Sequence, residues 1–193
     1  MQTSVGICNV ALARVSGHQL ERINSIDDDS TAGTLCRNLL PHVIDVALGQ
    51  LQWSFAMREA VLAEKRQEST VPDGEYPCRF ALPSDCLYPV RLKSGAATMH
   101  PAYMIQGRDI VTGFSPAVLV YVARGHDPSG WPPLFADAIA WALAAELATA
   151  MVNDVRRHQF CLQNYQTALY QARAAELNSQ QVDVPVHPWN SFC

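Results

Sequence analysis

The chain has 193 residues, of which 49% are apolar and 17% are charged, and its formal net charge is −4. That length suits one domain, or one domain with an insertion. The acidic balance argues against a protein that grips nucleic acid by neutralising phosphates, although DNA could still pass without sticking. Ordinary soluble proteins carry roughly 25% charged residues. Because this chain has fewer, 17%, we expect partners to cover much of its surface. The alternative is a compact monomer with a plain polar surface.

Neither a targeting signal nor a membrane span is predicted. The first ten residues have no basic region ahead of their apolar residues, which a secretory signal would need. Residues 132–152 are almost continuously apolar, but they include Asp137 and Glu146. Each acid would cost about 2.5–3.5 kcal/mol at the centre of a bilayer, so a buried helix is favoured. The scattered cysteines contain no CxxC pair and are interpreted as reduced thiols in a cytosolic protein.

Two helices are predicted before residue 52. The first is short and amphipathic, because apolar residues recur at helical spacing: Val5, Cys8, Leu12 and Val15. The second runs over residues 30–51, with a kink or a break at Pro41. The acidic run before it is interpreted as a helix start, with Ser30 or an aspartate as the cap. A cation site is the weaker alternative, since no Gly or Glu stands where an EF-hand loop needs one.

A third helix is predicted over residues 55–65, with Trp53 and Phe55 at its head. We expect both aromatic side chains to pack this helix onto the others while its charged residues point outward. A direct contact of the two aromatics with another subunit is the alternative.

A small antiparallel β-sheet is predicted over residues 75–124. Apolar residues alternate near residues 76–82 and 88–92, and Pro89 marks the second strand as an edge or a bulge. A hairpin is expected to turn at residues 107–109, and a further strand follows at residues 117–124.

Two more helices complete the predicted fold. The helix that begins at Pro132 has no broad polar face, so we expect it to be central to a bundle or pressed between subunits. The last helix, over residues 155–177, has an apolar packing stripe with His158 on the same seam: Val155, Leu162, Tyr165, Leu169 and Ala172. The side chains assigned to the bundle core are Leu39, Trp53, Phe55, Trp141 and Leu169.

The elements together predict an α+β fold, mainly α, in which an antiparallel helical bundle carries an inserted small antiparallel β-sheet. The bundle comprises residues 1–70 and 130–178, and the insertion comprises residues 75–124. A single domain, residues 1–181, is followed by an extended C-terminal tail, residues 182–193. That tail is either a disordered end or a strap whose aromatic side chains anchor in a partner.

The sequence predicts no catalytic, cofactor-binding or metal-binding residues, and no enzyme. It contains no GxSxG, Walker, HExxH or GxGxxG motif, and no histidines at metal-ligand spacing. Ser84, Asp85 and Cys86 are adjacent and could suggest a nucleophile. Three consecutive residues cannot all converge on one substrate, and a Ser-Asp pair in a tight corner usually bonds its own backbone.

Several short blocks occur in an order that resembles the head–tail adaptors of short-tailed bacteriophages, the tail tubular protein A type. The most specific blocks are "WSFA" and "LPSDC"; the others are "ICNVALARVSGHQLERINSIDDDS", "YMIQGRDIVT", "LVYVA" and "FADAIAWALAAELA". The resemblance covers about residues 7–175. It implies a virion protein of the neck and tail, present in the host cytoplasm during assembly.

The resemblance also implies partners. Such proteins form a twelve-membered ring below the portal protein, a tail nozzle protein is added beneath, and DNA passes through the channel without specific binding. In relatives the C-terminal segment reaches the portal, which would give a docking role to Pro185, Pro188, Trp189 and Phe192. No cofactor or membrane is implied.

Two other functions stay open. One is a different phage neck or head-completion connector, although a β insertion of this size favours the short-tailed type. The other is a small-molecule-binding or enzymatic domain with a pocket near Asp85 and Cys86.

Overall fold

A computed structural model describes residues 2–16, 22–65, 77–94, 102–125 and 127–179. In these ranges the chain is a mixed α+β protein with four α-helices: α1 (Ser4–Ser16), α2 (Thr31–Leu48), α3 (Pro133–Leu147) and α4 (Val155–Ser179). Six strands accompany the helices: β1 (Met57–Val61), β2 (Cys78–Ala81), β3 (Cys86–Ser94), β4 (Tyr103–Gln106), β5 (Asp109–Thr112) and β6 (Ala117–Ala123).

Helix α3 is the helix on which the other three pack. Its side chains are apolar on nearly every side, and most of them are buried, including Phe135, Ile139 and Leu143. Together with the π-helical turn that follows, Pro133–Val152 is long and apolar enough to cross a membrane. However, 61% of that apolar window is buried inside the fold, and core helices pass the same test, so this is weak evidence for a span.

The start of α2 confirms that the acidic run leads into a helix cap. Ser30 is the N-cap, and its hydroxyl oxygen accepts a hydrogen bond from the Gly33 amide at 3.1 Å. The Asp28 carboxylate in turn accepts from the Ser30 amide at 2.9 Å, which lowers the pKa of Asp28. Further along, α2 continues through Pro41 as one helix, so the structure excludes a break at Pro41.

The predicted third helix over residues 55–65 is wrong. Ser54–Ala56 form a single 3₁₀ turn, and β1 follows it directly. Strand β1 pairs antiparallel with β6, from Met57 opposite Val122 to Val61 opposite Val118. Because that pairing joins residues far apart in the sequence, local periodicity does not report it, and the tertiary partner overrides the helical pattern.

The strands form two antiparallel sheets instead of the single one predicted. The first has the order β1-β6-β3 and the second the order β2-β5-β4. Residues just after β1 join the sheets, because the Lys65 amide donates to the Arg79 carbonyl at 2.8 Å. A second apolar core forms from side chains of both sheets: Leu62, Phe80, Leu92, Ile110 and Leu119.

Two predictions within the β region are confirmed. Strand β3 is an edge strand, and its pairing with β6 is irregular between Pro89 and Arg91, as a proline at an edge or a bulge predicts. Strands β4 and β5 form the predicted hairpin, and Gly107 in its turn has φ +64°, a conformation that favours glycine.

Candidate subunit-contact surface

The residues predicted for the bundle core lie in or against the main apolar core. Trp53 and Leu169 are buried, whereas Leu39, Phe55 and Trp141 are partly buried and pack against the core. Trp53 and Phe55 both contact Phe135 of α3, with ring centroids 4.8 and 4.9 Å away. The two aromatics therefore hold the 3₁₀ turn before β1, and they are not at the head of a helix.

The end of α4 is tied to the same turn by a buried carboxylate. Glu176 is 5% exposed, and its Oε1 accepts a hydrogen bond from the Ser54 amide at 2.6 Å. A groove of about 320 Å³ opens beside this contact, between Trp53, Leu134 and Ala175, and Ser179 lines it. The predicted portal-docking residues, Pro185, Pro188, Trp189 and Phe192, lie outside the described residues.

Helix α4 has a second side that faces solvent, and it mixes large apolar side chains with the exposed polar side chains of Gln159, Gln166 and Arg173. Four large side chains on it are exposed: Val155 (66%), Leu162 (38%), Tyr170 (75%) and Leu177 (55%). At 100° and 1.5 Å per residue, the four fall within an arc of about 80° and extend over about 33 Å. We call these four residues the outer face of α4.

The predicted packing stripe of the last helix is therefore wrong in part. Leu169 and Ala172 are buried and Tyr165 is partly buried, but Val155 and Leu162 are exposed. Positions seven apart drift by about 20° around a straight helix, so residues 155, 162 and 169 do not share one seam. Because of this drift, Val155 and Leu162 lie on the surface while Leu169 lies in the core.

Arg14 of α1 is part of a cluster of contacts that links three helices. Its guanidinium pairs with the Asp137 carboxylate and lies 3.9 Å from the centroid of the Trp141 ring. Trp141 in turn contacts Phe160 of α4 at 6.0 Å between ring centroids. Arg157 of α4 donates to the Val15 carbonyl at the end of α1. These contacts fix α1 and α4 to α3 and so set the positions of their free faces.

The "LPSDC" corner carries a structural ion pair. The Asp85 carboxylate accepts from the Tyr121 hydroxyl at 3.0 Å and from Arg58 at 3.2 Å. Burial raises the pKa of the Cys86 thiol, which disfavours the reactive thiolate. Ser84 is exposed, so the three adjacent residues do not converge on one point.

No protein-family model matches the chain, and no curated protein matches its sequence. Among the described residues, no group of three or more His, Cys, Asp or Glu side chains could hold a metal ion. The outer face of α4 is therefore the feature from which we argue function. Sequence reasoning missed this face. At 100° per residue, Tyr170 and Leu177 lie about 80–100° around the helix from the packing residue Leu169, and this separation is the signal that could have indicated their exposure.

Proposed function

We propose that the chain is a virion structural protein, a head-to-tail adaptor of the kind found in short-tailed bacteriophages. In this proposal its helices form an antiparallel bundle, and twelve copies form a ring between the portal protein and the tail nozzle protein. The ring leaves a channel through which DNA passes.

The outer face of α4 is the observation that carries the proposal. Burying one Val or Leu side chain fully stabilises by about 1.5–3 kcal/mol, so exposed apolar side chains along one helix favour association. Single exposed apolar residues are ordinary, but four on one side of a helix over about 33 Å, with polar side chains between them, favour a protein–protein contact. The order of sequence blocks that resembles the adaptor family then indicates which assembly this is.

The charge of the chain supports the proposed DNA channel. A channel wall rich in Lys and Arg would retain phosphates, whereas a net charge of −4 is compatible with transit of DNA. Among the described residues, eight basic side chains also lie within 4.0 Å of a carboxylate: Arg14, Arg37, Arg58, Lys65, Arg79, Lys93, Arg124 and Arg157. A channel built from such pairs would present little net positive charge.

Co-assembly with a portal tests the proposal. The purified chain is mixed with rings of a short-tailed phage portal protein, and the mass of the product is measured by native mass spectrometry or light scattering. We expect twelve copies to add to each portal ring. A chain that ignores the portal at concentrations of tens of micromolar would overturn the proposal, whereas a monomer in the absence of portal would not.

A further inference from the structure

A groove of about 340 Å³ lies between α1 and α3, and three of the nine residues that line it are Gly or Ala. These three are Gly6 of α1 and Ala136 and Ala140 of α3. Small residues at such positions allow another helix to approach closely, because no long side chain fills the space. Val10, on the α1 wall, is 45% exposed although it is apolar.

Two polar groups also line this groove. The Gln2 side-chain oxygen is shielded from solvent and has no hydrogen-bond partner in the described chain. A buried acceptor without a donor is costly, so a donor from another molecule would stabilise the Gln2 side chain once that side chain turned towards it. Asp137 stands at the rim with its side chain 46% exposed, even though it pairs with Arg14.

The outer face of α4 has the complementary features. Its apolar side chains are large where those of the groove are small, which is the relationship that ridge-into-groove packing of helices requires. Tyr170 has a hydroxyl that could donate to the Gln2 oxygen, and Arg173 is an exposed cation that could face Asp137. Tyr170 and Arg173 are three residues apart on a helix and so are close neighbours, and Gln2 and Asp137 both line the groove.

We infer that neighbouring copies associate head to tail, with the outer face of α4 in one copy seated in the α1–α3 groove of the next. The outer face points away from α3, whereas α3 itself forms one wall of the groove, so no copy can fill its own groove with its own outer face. A contact between two different patches leaves one of each free, and it repeats until a ring closes. This inference rests on the proposed ring and names the surfaces that build it.

Two surface substitutions separate the patches. Val10→Glu places a charge in the groove and leaves the outer face intact, and Tyr170→Glu does the reverse. Both positions are exposed, so both variants should fold, which circular dichroism and thermal melting would check. Val46→Glu is the matched control, because Val46 is 48% exposed on α2 and belongs to neither patch.

The measurement is sedimentation of each protein over a concentration series up to about 0.5 mM. We expect the wild-type chain and Val46→Glu to associate alike, and each of the other variants to weaken association by at least about tenfold in Kd. An equimolar mixture of Val10→Glu and Tyr170→Glu should form a one-to-one dimer and nothing larger, because only one intact contact remains in that pair.

Three results would overturn the inference. The mixture could remain monomeric while the wild-type chain associates, Val10→Glu alone could associate as well as wild type, or the wild-type chain could remain monomeric throughout. None of these outcomes decides the adaptor proposal, which co-assembly with the portal tests separately.

Discussion

The indole Nε1 of Trp53 donates a hydrogen bond to the Ala47 carbonyl at 3.0 Å, across the C-terminal end of α2. The carbonyls in the last turn of a helix have no partner within the helix, and the Ala47 carbonyl accepts both this bond and one from the Gln50 amide at 3.3 Å. The Trp53 ring is 1% exposed and packs edge-on against Phe135 of α3. One side chain thus ends α2, anchors to α3 and sets the direction in which the chain enters β1.

Replacing Trp53 by Ala should lower the free energy of unfolding by about 3–5 kcal/mol, because a fully buried ring leaves a cavity. Trp53→Phe should cost less, since it keeps most of the apolar surface and loses mainly the bond to the Ala47 carbonyl. Urea unfolding followed by circular dichroism measures both. Val155→Ala, at an exposed site, is the control and should change little in the monomer; a similarly small change for Trp53→Ala would show that the ring is not buried.

Gly33→Ala should destabilise the start of α2. A Cβ atom at this position would lie 2.3 Å from the Asp28 carbonyl oxygen, a backbone atom that cannot move without disturbing the Ser30 cap. We expect a loss of about 1–3 kcal/mol in unfolding free energy, although Ala is ordinarily the better helix former by about 1 kcal/mol. Gly49→Ala is the control, because there the nearest atom is 3.4 Å away and φ is −68°. Equal stability of the two variants would contradict the close approach.

Stability should fall at acid pH partly through Asp109. Hydrogen bonds from Lys65, and then from Arg79, lower the pKa of this carboxyl, whose side chain is 14% exposed. A pKa lowered in the folded state contributes stability that is present above the unfolded value of about 3.9 and is lost as pH falls through the folded value. Thermal melting of Asp109→Asn from pH 7 to pH 2.5 should therefore show a lower Tm at neutral pH and a smaller further decrease below pH 4. Parallel melting profiles for the variant and wild type would refute this.

Removing residues 182–193 should leave the melting temperature nearly unchanged and weaken binding to a portal ring. The tail aromatics predicted to dock, Trp189 and Phe192, would then be absent, and buried aromatic anchors carry much of the energy of such contacts. Trp189→Ala with Phe192→Ala in the full-length chain is the sharper variant, because it preserves the length of the tail. Portal binding that is the same for all three proteins would remove the tail from the interface.

The sequence predicted best where structure depends on neighbours along the chain. Ser30 caps its helix through an amide three residues away, and Gly107 turns a two-strand hairpin, so both signals are complete within a few residues. The apolar character of α3 similarly predicted its burial. For the candidate surface, the sequence supplied the apolar residues of α4 and a charge content low enough to suggest partners.

Other features depended on which distant segments meet. Residues 57–61 form a strand because β6 offers its backbone, and the buried Glu176 carboxylate accepts from the Ser54 amide, 122 positions away in the sequence. Likewise, the packing of α4 on α3 decided that Leu169 would face the core and Leu162 the solvent. Caps, turns and helical periods are local interactions that the order of residues fixes by itself. Strand pairing and the division of a helix into buried and free faces depend on contacts between remote residues, which only the folded chain brings together.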